Sequence, residues 1–266
     1  MLSLDSLDRA TARAAKAVLT DIDDTLTDHG RLPAEVLAAL RNLQAAGLIV
    51  VPVTGRPAGW CDLIARQWYV DGVVGENGAL WFRYDVARRK MLSLYSRDLG
   101  QRQHDRGRLD RIRDEVFAKV PGTAVASDQD YRISDLAIDY CEDVDPLPVS
   151  DVDRIVEIFR AHGATAKVSS IHVNGWFGNH DKLTMARRAL AETFGLDVDA
   201  DRERIFFVGD SPNDAPMFAQ FPHAVGVANI RAFESSIEHL PRYVTVAPAA
   251  RGFVEFAERL LALREG

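Results

Sequence analysis

Three aspartates, Asp21, Asp23 and Asp24, stand directly behind the short apolar run Val18-Leu19 in the stretch AVLTDIDDTLTDHG, residues 17–30. Carboxylates at the end of a buried strand are costly unless something uses their charge. On an extended backbone Asp21 and Asp23, two residues apart, face the same side. Far along the chain, Asp210 and Asp214 stand in GDSPND behind the run IFFV. Several carboxylates meeting in one crevice need a cation. An oxygen-only donor set favours Mg²⁺, which keeps positions open for phosphate oxygens. Thr54, in VTGRP, offers a hydroxyl, and Lys182, in NHDK, a point charge. Both suit the non-bridging oxygens of a phosphoryl group, as do backbone N–H groups at helix starts. Each element also has an ordinary reading. The aspartates can cap a turn, Thr54 a helix, Lys182 can be a surface lysine, and GD followed by ND is common turn chemistry. The combination, in this order and at these places, is far more specific than any one member.

The elements that must position these residues are legible in the pattern. Short runs rich in Val, Ile and Phe recur at Val18-Leu19, Leu48 to Val53, Gly72 to Val74, Ile205 to Val208 and Ala224 to Val227. Such runs suit strands buried on both faces. The segments between them read as helices. Pro33 suits a first turn, with Leu37, Leu40 and Leu43 at helical spacing and Gly47 as the stop; Lys182 to Phe194 repeats the design and stops at Gly195. Strand-helix alternation predicts a parallel α/β sheet with right-handed crossovers. Ligands bind at the carboxyl ends of such strands, where the polar clusters fall. From about Arg83 to about Asn179 the pattern changes. A long helical stretch, alternating strand-like segments and a second helix read as an α+β insertion with an antiparallel sheet. The expected division is a core of residues 1–83 and 180–266 with an inserted cap of residues 84–179.

The chain has 266 residues, 47% of them hydrophobic, enough for a sizeable core and against disorder. Its net charge of −7, with no dense basic cluster beside aromatics, weighs against nucleic acid and anionic membranes as partners. The basic stretch Arg97 to Arg113 is interleaved with Asp98, Asp105 and Asp110 and reads as a solvated helix face. Cys61 and Cys141 fit no metal or disulfide spacing. No apolar leader is visible, and no run nears the roughly 18 residues needed to cross a bilayer. The expected setting is the cytoplasm, the expected partner a small phosphorylated metabolite, and the oligomeric state is left open.

Together the four clusters resemble the haloacid dehalogenase-like (HAD) superfamily of phosphotransferases. DIDDT is similar to its first motif, VTGR to its second, Lys182 to its third and GDSPND to its fourth. The likeness spans about Lys16 to Val86 and Asn179 to Arg251. ENGA at residues 76–79, followed by the α+β insertion, resembles subfamily IIB, with a large cap between the second and third motifs and many sugar-phosphate phosphatases among its members. The resemblance implies a Rossmann-like core and Mg²⁺ as cofactor. It implies Asp21 as the nucleophile that forms an aspartyl-phosphate, and Asp23 as the acid that protonates the leaving oxygen and then activates water. Mg²⁺ would lie on the Asp21 carboxylate, the Asp23 backbone carbonyl and Asp210, with Asp214 and Asn213 completing or supporting the shell. Thr54, Gly55 and Lys182 would bind the phosphoryl oxygens. Leu183 stands where many relatives have Gly.

Substrate choice falls to the cap. On its return strand His172, Asn174 and Trp176 are candidates for reading the leaving group, Trp176 as a stacking platform and Asn174 as a hydroxyl partner. An ordinary cap strand with Ile171 and Val173 inward is the competing reading. Trp60, Trp68 and Trp81 read as packing residues and Cys61 as core. A phosphosugar mutase of the same fold and a catalytically silent binding or regulatory homologue remain as alternatives.

Overall fold

A computed structural model describes residues 1–169 and 171–265; Ser170 and Gly266, inside the expected cap and core ranges, lie outside the described residues. In chain order the elements are β1 (Leu2–Ser3), α1 (Arg9–Ala14), β2 (Ala17–Thr20), α2 (Ala34–Ala45), β3 (Ile49–Pro52), α3 (Ala58–Gln67), β4 (Val73–Gly75), β5 (Leu80–Asp85) and β6 (Lys90–Tyr95). Then come α4 (Leu99–Lys119), β7 (Ala124–Val125), β8 (Asp135–Asp139), α5 (Val149–Ala161), β9 (Thr165–Val168) and β10 (His172–Trp176). The chain closes with α6 (Lys182–Phe194), β11 (Ile205–Gly209), α7 (Ala215–Gln220), β12 (Val225–Gly226), β13 (Tyr243–Val244) and α8 (Ala249–Glu265). It forms two compact units, one of residues 1–55, 61–94 and 181–266, the other of 56–60 and 95–180.

The first unit is built on a six-stranded sheet in the order β1-β13-β12-β11-β2-β3, parallel throughout. Every residue of β2 and β11 is buried, as strands covered on both faces must be. Phe207 packs on Phe218 of α7 and Phe206 on Phe256 of α8, with ring centroids 5.5 and 5.6 Å apart. Burying each such ring stabilises the fold by about 1.5–3 kcal/mol. Register places Thr20 opposite both Val208 and Pro52. The residues after β2, β3 and β11 therefore leave the sheet side by side. From β2 the chain steps to β3 on one side and later to β11 on the other, and the crevice of an open parallel sheet lies at such a reversal.

Helix α2 starts after Pro33 and buries Val36, Ala39, Leu40 and Leu43, while the expected Leu37 is only half-buried. The strands β4, β5 and β6 form a small sheet of their own within the first unit. Trp81 of β5 meets Phe194 of α6 edge-on at 6.2 Å, and Leu94 of β6 packs on the same core. These contacts carry the first unit on to Leu94, past the boundary at 83/84 drawn from the sequence. Trp81 is a packing residue as expected and Trp68 is half-buried. Trp60 is not: it is 40% exposed, with the Arg56 guanidinium 4.4 Å above its ring.

The second unit is an antiparallel sheet, β7-β8-β10-β9, with α4 and α5 on one face. Leu136, Ile138 and Val173 point to that face and share a core with Leu109, Ile112, Val116, Ile155 and Phe159. Asp98 and Gln101 close a capping box at the start of α4. The basic stretch pairs along that helix, Arg97 with Asp105 at 2.6 Å and Arg113 with Asp110 at 3.0 Å. Among the described residues no helix is long and apolar enough to cross a membrane.

Candidate active site

The β2–β11 ladder runs one step past the strand, because the Asp21 N–H donates to the Val208 carbonyl at 2.8 Å. Asp21 is thus fixed by the sheet and is only 5% exposed. The chain then turns tightly. The Ile22 carbonyl accepts from the N–H groups of Thr25, Leu26 and Thr27 at 3.3, 2.8 and 3.1 Å. Buried Ile22 and Leu26 pin the turn from below. Asp23 is half-buried on it, and Asp24 is exposed at φ 53°.

Lys182 is the first residue of α6, behind the cap residue Asp181, and is 4% exposed. Burial and the positive end of a helix both work against an ammonium there. Its partners offset this. Lys182 Nζ donates to Asp21 Oδ1 at 2.6 Å and to Asp214 Oδ1 at 2.9 Å, with Asn213 Oδ1 at 3.4 Å. Despite burial, the carboxylates of Asp21 and Asp214 hold the Lys182 pKa above the ordinary lysine value. Asp214 has no solvent exposure, and its other oxygen accepts from the Asp210 N–H at 3.2 Å. That contact requires Gly209, since a Cβ there would lie 2.4 Å from Asp214 Oδ2.

Asp21, Asp210 and Asp214 each bring a carboxylate oxygen within 4.8 Å of the others. Three buried carboxylates face one lysine, so two negative charges are left over. Burial pushes the Asp21 pKa up to about 7; Lys182 opposes the shift, while Asp214 and Asp23 add to it. Burial pushes Asp210 up to about 9, with Asp21, Asp214 and Asp24 adding to it. Without a cation the cluster holds protons. An all-oxygen donor set with a surplus of two charges fits a hard divalent ion.

Thr54 and Gly55 follow β3. Thr54 is buried, and its N–H donates to the Val74 carbonyl at 2.9 Å. Its own carbonyl accepts from the Asn77 N–H at 3.1 Å. The Asn77 amide lies against Gly55, where an added Cβ would be 3.2 Å from it. Glu76, Asn77 and Gly78 have φ of 44, 53 and 101°, a strained left-handed run for the first two. It lets Gly78 pass against the Asp181 carbonyl, which a Cβ would meet at 2.0 Å. One turn thus supports both Thr54 and the start of α6.

The structure brings Asp21, Lys182, Asp210, Asn213 and Asp214 together and sets Thr54 and Gly55 at the end of the strand beside Asp21. The cap candidates lie in the second unit. His172 Nε2 is 2.8 Å from Glu142, and Asn174 Nδ2 donates to Asp135 at 3.1 Å. Trp176 is 1% exposed and stacks on His180 at 5.5 Å. Burial lowers the His172 pKa, with Glu142 opposing. Three residues not singled out from the sequence support the cluster: Thr25, Asn77 and Asn229. Thr25 is the last residue of DIDDT, so the motif itself carried the signal. Asn77 stands in ENGA, which also carried a signal, whereas Asn229, a lone Asn after a strand, carries none.

A carboxylate held by an ammonium beside a cation-fitting cluster can attack an electrophilic centre whose negative charge the same groups offset. Residues 18–102 match the family model of haloacid dehalogenase-like hydrolases. A phosphoglycolate phosphatase of Methanothermobacter thermautotrophicus is 27% identical over 250 residues, 92% of this chain and 99% of its own length. One of Haloarcula marismortui is 29% identical over 90% of this chain and 94% of its own. A Thermoplasma acidophilum structure superposes with a TM-score of 0.71 at 19% identity, covering 94% of this chain and 99% of that one. A HAD subclass IIB sugar phosphatase gives 0.66 at 15% identity, covering 94% and 100%. The sucrose-phosphatase of Synechocystis, solved with sucrose and phosphate, gives 0.61 at 15%, covering 92% and 97%. The fold is that of these hydrolases.

Proposed function

We propose that this haloacid dehalogenase-like hydrolase is a Mg²⁺-dependent phosphatase that hydrolyses a small phosphorylated metabolite through an aspartyl-phosphate on Asp21. The observation that carries the reading is Lys182 on Asp21 at 2.6 Å inside the carboxylate cluster. A carboxylate oxygen of Asp21 attacks phosphorus, and the bond to the leaving oxygen breaks. Asp23 gives that oxygen its proton. Asp23, now a carboxylate, then takes a proton from water as the water attacks phosphorus. The bond to Asp21 breaks, and inorganic phosphate and free Asp21 result. Lys182, Thr54 and the backbone at Gly55 hold the phosphoryl oxygens. Asp21, the Asp23 backbone carbonyl and Asp210, with Asp214 and Asn213 in support, would hold Mg²⁺, whose charge would offset that of the phosphoryl group.

For the leaving group the reading is a sugar phosphate, supported by the sugar-phosphatase neighbours and by an insertion large enough to carry recognition. His172, Asn174 and Trp176 are its proposed readers. The second reading is phosphoglycolate, favoured by curated relatives of that name over more than 90% of the chain. Either substrate goes with a cytoplasmic enzyme and with no nucleic acid or membrane partner.

The test is phosphate release from a panel of sugar phosphates, phosphoglycolate and p-nitrophenyl phosphate, with Mg²⁺ and with chelator. Phosphate should appear only with Mg²⁺, and Asp21→Asn should abolish it in a folded protein. Interconversion of phosphosugar isomers without phosphate release would establish the mutase alternative. Inertness toward the whole panel would sink the phosphatase reading.

A further inference from the structure

Asn229 lies just past β12, in the short 3-10 turn Ala228–Phe233, and is half-buried. Its Nδ2 donates to Asp210 Oδ2 at 3.0 Å and to the Asp24 carbonyl at 3.1 Å. Its Oδ1 accepts from the Ala249 N–H at 2.9 Å. A carboxylate and a carbonyl only accept, and a backbone N–H only donates, so the orientation of the amide is forced. Neither a carboxylate nor a hydroxyl could make all three bonds.

The three partners belong to separate segments: the end of β11, the turn after β2 and the start of α8. Two of them are strained, with φ 53° at Asp24 and 48° at Ala249. Strained backbone persists only where its surroundings over-determine it, and one amide does so at both points. Among the described residues Asp210 has one further side-chain bond, from Thr25 Oγ1 to Oδ1 at 3.4 Å, which is long for a hydroxyl donor. The Asn229 bond is therefore the stronger hold on the plane of the Asp210 carboxylate.

We infer that Asn229 is a positioning residue of the cation site. It fixes the Asp210 carboxylate and the Asp21–Asp24 turn at one spacing, so that both reach the same ion. The phosphatase reading supplies only the identity of that ion, Mg²⁺. Without the amide, cation binding must itself order the carboxylate and the turn, and that cost appears as lost affinity. Removing such outer partners of metal ligands typically lowers metal affinity or activity about 10–100-fold.

The test is a Mg²⁺ titration followed by thermal unfolding, which needs no substrate. Asn229→Ala should raise the Mg²⁺ concentration at half-effect by about 10–100-fold. With p-nitrophenyl phosphate at saturating Mg²⁺, kcat should fall while KM stays within about twofold, because the residue touches no substrate. Asn229→Gln moves the amide by one methylene and should also raise the Mg²⁺ requirement, by a smaller factor; it takes the place of the alanine variant if that one fails to fold. A folded variant of either kind that titrates like the wild type overturns the inference. A wild type with no Mg²⁺ response overturns the cation site and the inference with it. A normal Mg²⁺ response without phosphate release from any substrate overturns the phosphatase reading alone.

Discussion

Raising the pH of the metal-free protein above neutrality should cost it stability, and Mg²⁺ should remove that cost. The Asp210 pKa is pushed up to about 9 in the folded chain, mainly by burial, from an ordinary aspartate value. Between those values the folded chain holds a proton that the unfolded chain has released. Folding is then penalised as pH rises, by about 1.4 kcal/mol per pH unit for one group. Other groups decide where to look. Burial lowers the pKa of His172 and His223, so below about pH 6.5 they act with the opposite sign. Asp21 titrates at about 7, and the Cys141 thiol is raised from its ordinary value near 9. Lys182 stays charged throughout. From pH 7 to 8.5 Asp210 therefore dominates, with the second half of the Asp21 titration adding a smaller loss of the same sign, and the expected loss is about 2 kcal/mol. In a chain of this size that lowers Tm by about 4–8 °C.

Bound Mg²⁺ keeps the carboxylates ionised and paired, so the slope should flatten. The Mg²⁺-induced rise in Tm should grow with pH, because binding no longer has to displace a proton. The assay is thermal unfolding at pH 7, 7.5, 8 and 8.5, in chelator and in Mg²⁺. Asp210→Asn, which has no proton to lose, should show a flatter profile without metal. A metal-free Tm that is level or rising from pH 7 to 8.5, with an equal Mg²⁺ shift at both ends, would refute the buried, proton-holding cluster.

Three further outcomes are expected. Asp23→Asn should lower turnover of a sugar phosphate by about 10²–10⁴-fold and that of p-nitrophenyl phosphate, whose leaving group needs no proton, by much less; equal losses in steady-state assays would assign Asp23 another role. Gly209→Ala should place a Cβ 2.4 Å from Asp214 Oδ2 and 2.8 Å from the Phe207 ring, costing about 1–3 kcal/mol in denaturant unfolding and weakening Mg²⁺ binding; wild-type stability would show that the strand end yields. Asn174→Ala and Trp176→Ala should lower kcat/KM for the natural substrate by about 1–3 kcal/mol each while sparing p-nitrophenyl phosphate, and equal effects on both substrates would make this strand structural only.

Much of the fold was legible because its cause is local. Strands buried on both faces are written as unbroken apolar runs, and both β2 and β11 were found by that rule alone. The termini of α6 follow from Asp181 and Gly195, a side-chain cap and a left-handed residue at φ 63°. The polar clusters were readable for a related reason. A carboxylate or lysine next to a buried strand or at a helix start conflicts with burial, and the conflict marks it. What could not be read locally was where the insertion begins. Nothing local in the segment 80–95 says which unit it joins; its pairing with β4, Trp81 on Phe194 and Leu94 on the first core tie it to that unit. Trp60 differs for the converse reason, since its size argues for packing while the residue is 40% exposed and its ring lies under the half-buried Arg56.

The cap strand and Asn229 show the same limit from two sides. On β10 the alternation correctly separates Val173 from His172, Asn174 and Trp176, but alternation says only which face a side chain takes. Glu142 and Asp135, which occupy His172 and Asn174, come from outside that strand. The bond to Asp135 uses one Asn174 N–H, so a substrate hydroxyl reaching Asn174 would have to use its second N–H or its carbonyl oxygen. That is why the two-substrate comparison, and not loss of activity alone, decides the role of this strand. Asn229 is the opposite case. Nothing around it in the sequence is in conflict, since an Asn after a strand is ordinary turn chemistry. Its bond to the Asp24 carbonyl closes a separation of 205 residues. An amide that answers two acceptors and one donor from three segments is defined by those segments, and no local pattern encodes it.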